Sequence, residues 1–310
     1  MRVPDPGHDS PARPFLKWAG GKRQLLAQLD AHLPEDLKRG RLHRYVEPFV
    51  GSGALFFHVV RAYPLAEYLL SDVNPELILA YRTIQRQVEP LIERLAELEE
   101  EYLSLEPSAR KARYYRERER FNAALGAIDF EAYQPAWIER AAQLIFLNRT
   151  CYNGLFRVNS RGEFNVPFGR YKQPAICDAA NLRAVARALE GATLRFGDYT
   201  AVGECADGET FVYFDPPYRP LTRTASFTTY STHVFDDREQ LRLAEFYRLL
   251  HRKGARLMLS NSDPRNANPE DDFFEEAYRG FRLERVTANR NINRDAGGRG
   301  PVTELLILNY

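Results

Sequence analysis

The chain has 310 residues, 44% hydrophobic and 27% charged, with a formal net charge of +1, enough apolar material for one large core and a smaller lobe in an ordinary soluble protein. No apolar run approaches the ~20 residues that span a bilayer, and the leader through Arg13 is too polar for a secretory signal, so the expected setting is cytoplasmic and away from membranes. Cys151, Cys177 and Cys205 are scattered without C-x-x-C spacing, which supports neither a disulfide framework nor a metal site.

In chain order, Ala19-Gly20-Gly21-Lys22 looks like a phosphate cradle, but Arg23 stands where a magnesium-binding Ser or Thr is needed and no strand clearly precedes it. Tyr45-Val46-Glu47-Pro48-Phe49 reads as a strand that runs into Val50-Gly51-Ser52-Gly53 and then a helical pattern. Such a turn lets backbone approach a ligand and aims helix N–H groups at it. The next apolar run, Tyr68-Leu69-Leu70, ends in Ser71-Asp72-Val73-Asn74, an acid where a ribose hydroxyl pair is usually gripped. The third glycine of a dinucleotide site is missing, so S-adenosylmethionine, which has a ribose but no phosphate, fits better.

After Asn74-Pro75 the pattern is helical for about a hundred residues, with Ile84, Val88, Leu91, Leu95, Leu98 and Tyr102 at helical spacing and Pro90 as the expected kink. The charges from Arg82 to Arg120 are balanced in sign and read as solvated faces. A further helix over Pro135–Asn148 places Ile138, Ala142, Ile145 and Phe146 on its core stripe. Asn159-Ser160-Arg161-Gly162 is a turn signal between two extended stretches, predicting a β-hairpin. Around it the small net charge hides a local field: Arg149, Arg157, Arg161, Arg170 and Lys172 stand against the single acid Glu163, interleaved with Tyr152, Phe156, Phe164, Phe168 and Tyr171. That mixture suits holding phosphates and disturbing a base stack.

The doubly wound α/β pattern resumes with a helix over Asn181–Leu189 and a strand at Leu194-Arg195-Phe196. The apolar run Phe211-Val212-Tyr213-Phe214 follows, then the helix Asp237–Arg252 and strands at Ala255–Asn261 and Glu304–Leu308. Arg290–Gly300 reads as a Gly/Arg/Asn-rich loop. Asp215-Pro216-Pro217-Tyr218, directly after the buried run, is the most informative tetrad in the chain. A carboxylate, a carbonyl that precedes a proline and a flat ring at the rim of a sheet suit a planar amine. Alone, the tetrad would equally be a turn closing a strand.

Five blocks in the same order resemble the Dam-type DNA adenine-N6 methyltransferases: Phe15-Leu16-Lys17-Trp18-Ala19-Gly20-Gly21-Lys22; Glu47-Pro48-Phe49-Val50-Gly51-Ser52-Gly53; Ser71-Asp72-Val73-Asn74; Asn153-Gly154-Leu155-Phe156-Arg157 with Gly162-Glu163-Phe164-Asn165-Val166-Pro167-Phe168-Gly169; and the Asp215 tetrad. The likeness covers nearly everything from residue 14 to residue 310. It implies a Rossmann-like S-adenosylmethionine methyltransferase sheet, split between residues 1–75 and 178–310 by a helical plus β-hairpin target-recognition domain at 76–177. It further implies double-stranded DNA as partner, a flipped adenine as substrate and GATC as target, with a restriction endonuclease as a possible functional companion.

The resemblance also implies residue roles. Trp18, Lys22, Gly51, Gly53, Asp72 and Asp215 would form the donor pocket, with Asp72 on the ribose. Asp215 and the Pro216 carbonyl would accept the two N6 hydrogens, and Tyr218, beyond Pro217, would stack on the extruded ring, a contact worth ~1–3 kcal/mol. Lys17 would contact DNA, Arg157 would read a guanine bidentately, and Tyr152, Asn153 and Leu155 would sit at or between base pairs. Pro167 would touch a thymine methyl, and Ser226-Phe227-Thr228-Thr229-Tyr230 and the Arg290–Gly300 loop would lie near the DNA. Cytosine-N4 methylation, a different adenine-containing site, a non-catalytic DNA-binding module, and an RNA or protein amine substrate remain as alternatives.

Overall fold

A computed structural model describes residues 10–18, 22–219, 235–289 and 301–310. The expectations for Ser226–Tyr230, for the Arg290–Gly300 loop and for Ala19-Gly20-Gly21 lie outside the described residues. Helices α1 (Leu26–Ala31) and α2 (Glu35–Lys38) lead into β1 (Arg44–Glu47), α3 (Ala54–Ala62) and β2 (Glu67–Asp72). Three longer helices follow: α4 (Pro75–Ser104), α5 (Pro107–Ala123) and α6 (Ala136–Thr150). The chain then returns through α7 (Ala179–Ala188), β3 (Thr193–Phe196), β4 (Thr210–Phe214), α8 (Asp237–Arg252), β5 (Arg256–Ser262), α9 (Phe273–Ala277), β6 (Arg282–Asn289) and β7 (Pro301–Leu308).

The seven strands form one sheet in the order β3-β2-β1-β4-β5-β7-β6. Strands β1 to β5 run parallel, whereas β7 is antiparallel to both β5 and β6. Every residue of β4 is buried, as the continuous apolar run requires of a central strand covered on both faces. Its side chains alternate between two cores: Phe211 and Tyr213 join the one under α3, α4 and α7, and Val212 and Phe214 join the one under α8. From β1 the order runs one way to β2 and β3, and from β4 the other way to β5. The β1/β4 boundary is therefore the switch point of the sheet, where a crevice opens beyond the carboxyl ends of the strands.

The long helical stretch after Asn74 forms, but it packs differently from the reading of its sequence. Helix α4 starts on Asn74, whose Oδ1 accepts from the backbone N–H groups of Glu76 and Leu77, with Pro75 in the first turn. Its kink falls at Gln87 (φ −141°, ψ 44°) rather than at Pro90. The proline ring clashes with backbone in the turn before it, so the distortion is absorbed there. The charges between Arg82 and Arg120 are not all solvated. Arg113 and Glu117 are buried and paired, and Arg82 donates to the carbonyls of Phe130 and Leu194. Helix α6 is buried on nearly every face, and its Arg140 pairs with Glu76 while stacking over Phe121.

The expected hairpin is a turn without regular strands. Gly162 N–H donates to the Asn159 carbonyl at 2.9 Å, and Asn159 Oδ1 accepts from Arg161 and Glu163. Among the described residues the arms form only the isolated bridges Val158–Phe164 and Cys151–Phe168. Side chains of α5 take up the backbone groups a ladder would have used: Asn122 grips both N–H and C=O of Phe164, and Tyr114 Oη donates to the Val166 carbonyl.

Candidate active site

Four strands end at one cavity of about 760 Å³. Glu47 closes β1, Asp72 closes β2, Asp198 lies just beyond β3 and Asp215 just beyond β4, and all four line it. The first wall is the turn between β1 and α3. Gly51 (φ +46°) and Gly53 (φ +69°) occupy the left-handed region, and a Cβ on Gly53 would lie 2.7 Å from Tyr81 Oη. That hydroxyl donates to the Gly51 carbonyl at 3.1 Å, so Tyr81 shapes the turn from below. Gly53→Ala is therefore expected to lower stability by about 1–3 kcal/mol through left-handed strain, with displacement of Tyr81 in addition. Urea denaturation checks this, and an unchanged unfolding free energy would contradict it.

Asp72 accepts from the N–H groups of Gly51 (3.1 Å) and Asn74 (3.0 Å), which ties the two loops together. Burial, opposed by these bonds, pushes its carboxyl up to about 6. Among the described residues Asn74 Nδ2 is buried without a hydrogen-bond partner, and Asn74 also lines the cavity. Trp18 lies across the turn, 3.1 Å from where a Cβ on Gly51 would sit, and its other neighbour is Phe156, stacked at 5.5 Å between ring centroids.

On the opposite wall Asp215 Oδ1 meets Lys22 Nζ at 2.7 Å and accepts from Ser260 Oγ at 3.0 Å. Ser260 is in turn bonded to Tyr213 Oη at 2.9 Å. Among the described residues both contacts fall on Oδ1, which leaves Oδ2 for a further donor. Lys22 Nζ also sits 4.3 Å from the centre of the Tyr218 ring, so one face of that ring carries a cation. The Tyr218 hydroxyl donates to Glu304 Oε2 at 2.5 Å. Burial, with Asp215 and Glu304 nearby, raises the phenol well above its usual range. Pro216 is buried, and the exposed Pro217 presents its carbonyl to Gln240 Nε2 at 3.0 Å. Glu47 is buried and accepts from Tyr45 Oη at 2.8 Å. Burial, with the negative charge of Asp215 adding to it, pushes its carboxyl well above the usual carboxylate range.

The residues expected to meet DNA form a second group outside this cavity. Tyr152 is 54% exposed, and its N–H donates to the Pro167 carbonyl, so these two sit side by side with Asn153, also exposed and left-handed (φ 57°). Leu155 is half-buried against the core, and Arg157 is held by Asn165 Oδ1 at 2.7 Å from its Nε. Lys17 is exposed, with its Nζ 4.6 Å from the centre of the Tyr171 ring. The two groups of residues meet where Trp18 stacks on Phe156.

Several residues in the wall or directly behind it escaped the reading of the sequence. Glu47 and Ser260 stood inside recognised runs, but only the β4/β5 register, Phe214 opposite Leu259, sets Ser260 beside Asp215. Glu304 reaches Tyr218 because β7 returns antiparallel to β5, with Glu304 opposite Ser262. Asp198, held bidentately by Arg242 at 2.9 Å, and Tyr199, under the same guanidinium, complete the rim. Among the described residues no group of three or more His, Cys, Asp and Glu side chains could hold a metal ion, and no helix is long and apolar enough to cross a membrane.

The family described as D12 class N6 adenine-specific DNA methyltransferase matches residues 18–292. The Type II methyltransferase M.MjaIII of Methanocaldococcus jannaschii is 47% identical over 299 residues, covering 96% of this chain and 99% of that protein. The Type II methyltransferase M1.LlaDCHI of Lactococcus lactis subsp. cremoris is 37% identical, covering 96% and 95%. The DNA adenine methylase of Escherichia coli K12 is 36% identical, again covering 96% and 95%.

Proposed function

We propose, from the premise that this chain belongs to the D12 class of N6 adenine-specific DNA methyltransferases, that it methylates the adenine of GATC in double-stranded DNA, with S-adenosylmethionine as methyl donor. The observation that carries this reading is the single cavity that holds the Gly51–Gly53 turn and Asp72 on one side and Asp215 with Tyr218 on the other. When bound, S-adenosylmethionine supplies an electrophilic methyl group on a sulfonium.

Three features support its fit. The glycine turn gives close backbone approach, the Asp72 carboxylate can accept from ribose hydroxyls, and the unpartnered Asn74 Nδ2 offers a buried donor. Gly51, Gly53, Asp72 and Trp18 would hold the nucleoside. Asp215 Oδ2 and the Pro216 carbonyl would accept the hydrogens of adenine N6, drawing its lone pair out of conjugation. Lys22 and Ser260 fix the carboxylate from its other oxygen, so it meets the amine already oriented. The adenine must leave the duplex to reach this depth, and Tyr218 would stack on its ring, replacing part of the lost stacking. No covalent enzyme intermediate is required.

The division into a catalytic part at 1–75 and 178–310 and a recognition part at 76–177 belongs to the same reading. Tyr152, Asn153, Leu155, Arg157, Pro167 and Lys17 would form the recognition face. The GATC assignment rests on the Asn153-Gly154-Leu155-Phe156-Arg157 block. The type II names of two relatives support a companion endonuclease. Digestion of DNA treated with the purified protein, by endonucleases that respond oppositely to N6-methyladenine within GATC, tests the target. Acquired resistance to the methyl-blocked enzyme is expected, and unchanged digestion by both enzymes would reject GATC.

Asp72 adds a pH dependence. Its folded-state pKa of about 6 lies above the usual 3.8, so the unliganded fold loses stability as pH rises from about 4 through 6. Ribose binding needs the ionised form, so the sign for the donor is opposite. Donor affinity is expected to be full above pH 7 and to fall roughly tenfold per unit well below 6. Calorimetric titration of S-adenosylhomocysteine between pH 5 and 8 measures this, and a flat profile would remove Asp72 from the ribose.

A further inference from the structure

We infer that Asn148 is a positioning residue that links methyl-donor binding to DNA recognition; this rests on the donor and DNA roles proposed above. Asn148 lies in the last turn of α6, is 1% exposed, and spends its amide on backbone of two other segments. Its Oδ1 accepts from Lys17 N–H at 2.9 Å, and its Nδ2 donates to the Lys17 carbonyl at 2.8 Å and to the Gly154 carbonyl at 2.9 Å. Both amide hydrogens and the carbonyl oxygen are therefore in use.

The two segments it joins belong to different sites. Lys17 precedes Trp18, whose indole forms the cavity wall against Gly51. Gly154 (φ +64°) follows Asn153 in the exposed turn that begins at Tyr152, and lies two residues before Phe156, the ring stacked on Trp18. The segments are in direct contact: a Cβ on Gly154 would fall 2.3 Å from Lys17 Cδ. With this packing, the Tyr152–Gly154 turn cannot shift relative to Lys17 unless Asn148 releases one of them. Moving Lys17 moves the indole beside the donor. Donor and DNA, bound at separate places, would then bias one shared arrangement, which is the condition for reciprocal linkage.

The same stretch carries a matched control. Asn181, on α7 and also 1% exposed, clamps Arg13 in the same way, accepting from its N–H and donating to its carbonyl, both at 3.0 Å. Among the described residues this clamp has no bond to the recognition turn. Asn181→Ala therefore removes an equivalent anchor from the N-terminal stretch without cutting the link.

The test measures the dissociation constant of S-adenosylhomocysteine with and without a saturating duplex containing one GATC site, in the wild-type protein, Asn148→Ala and Asn181→Ala. The expected wild-type linkage is about fivefold or more, within the usual allosteric range, and Asn148→Ala should bring the ratio close to one while Asn181→Ala keeps it. Asn148→Ser, too short to reach either carbonyl, is the second variant should the alanine protein not fold, and is read in the same way. Loss of fold stability alone would not change the ratio in the folded fraction. A wild-type ratio in either Asn148 variant, an equal loss in Asn181→Ala, or a wild-type ratio of one would overturn the inference. Failure of the wild-type protein to bind S-adenosylhomocysteine at all would instead overturn the donor assignment, and this inference with it.

Discussion

Asp215→Asn is expected to lower methyl transfer to DNA by about 10³-fold or more while DNA binding persists, because a preorganised acceptor is replaced by a group that presents N–H to the substrate amine. Asparagine keeps the shape of the side chain and its contact with Ser260. The buried ammonium of Lys22 would lose the negative charge of Asp215 at 2.7 Å, however, so some loss of stability should accompany the loss of activity. Alanine in the same position should be equally inactive and less stable. Transfer of labelled methyl groups in single-turnover assays, with binding measured by gel shift, separates the two effects. Full activity in Asp215→Asn would remove this carboxylate from the chemistry.

The second large effect should fall on selectivity. Arg157→Ala is expected to lower discrimination against duplexes altered at a guanine of GATC by about 1–3 kcal/mol, roughly 5- to 150-fold, with a smaller change at the remaining positions. Asn165 Oδ1 holds the guanidinium by its Nε, which orients the fork before DNA arrives. The ratio of kcat/KM for GATC over each single-base variant gives the result directly. An unchanged set of ratios would take Arg157 out of base recognition.

Much of this candidate site was legible along the chain because the residues that line its cavity lie at strand ends. Asp72 and Asp215 each follow an apolar run, and Gly51 and Gly53 punctuate the step from strand to helix, so local pattern was enough to find them. Residues brought in by pairing between distant strands were not legible. Ser260 and Glu304 come to stand behind the wall residues Asp215 and Tyr218 through register, which no spacing rule in one sequence records. The edge strand β6 also escaped, since Arg282, Glu284 and Arg285 interrupt its apolar pattern, as charges on an edge strand commonly do. Between Pro75 and Thr150, hydrophobic spacing found the helices, but charge balance suggested solvent for Arg113 and Glu117, which are buried as a pair. The bends of the segment around Phe164 and Val166 depend on α5 side chains such as Asn122 and Tyr114 rather than on its own turn signal.

The most direct test of the central claim is nucleoside mass spectrometry of duplex DNA incubated with S-adenosylmethionine and either the wild-type protein or Asp215→Asn. N6-methyladenine should appear with the wild-type protein and be nearly absent with the variant. Unmodified adenine with the wild-type protein, or equal methylation by both, would contradict the account.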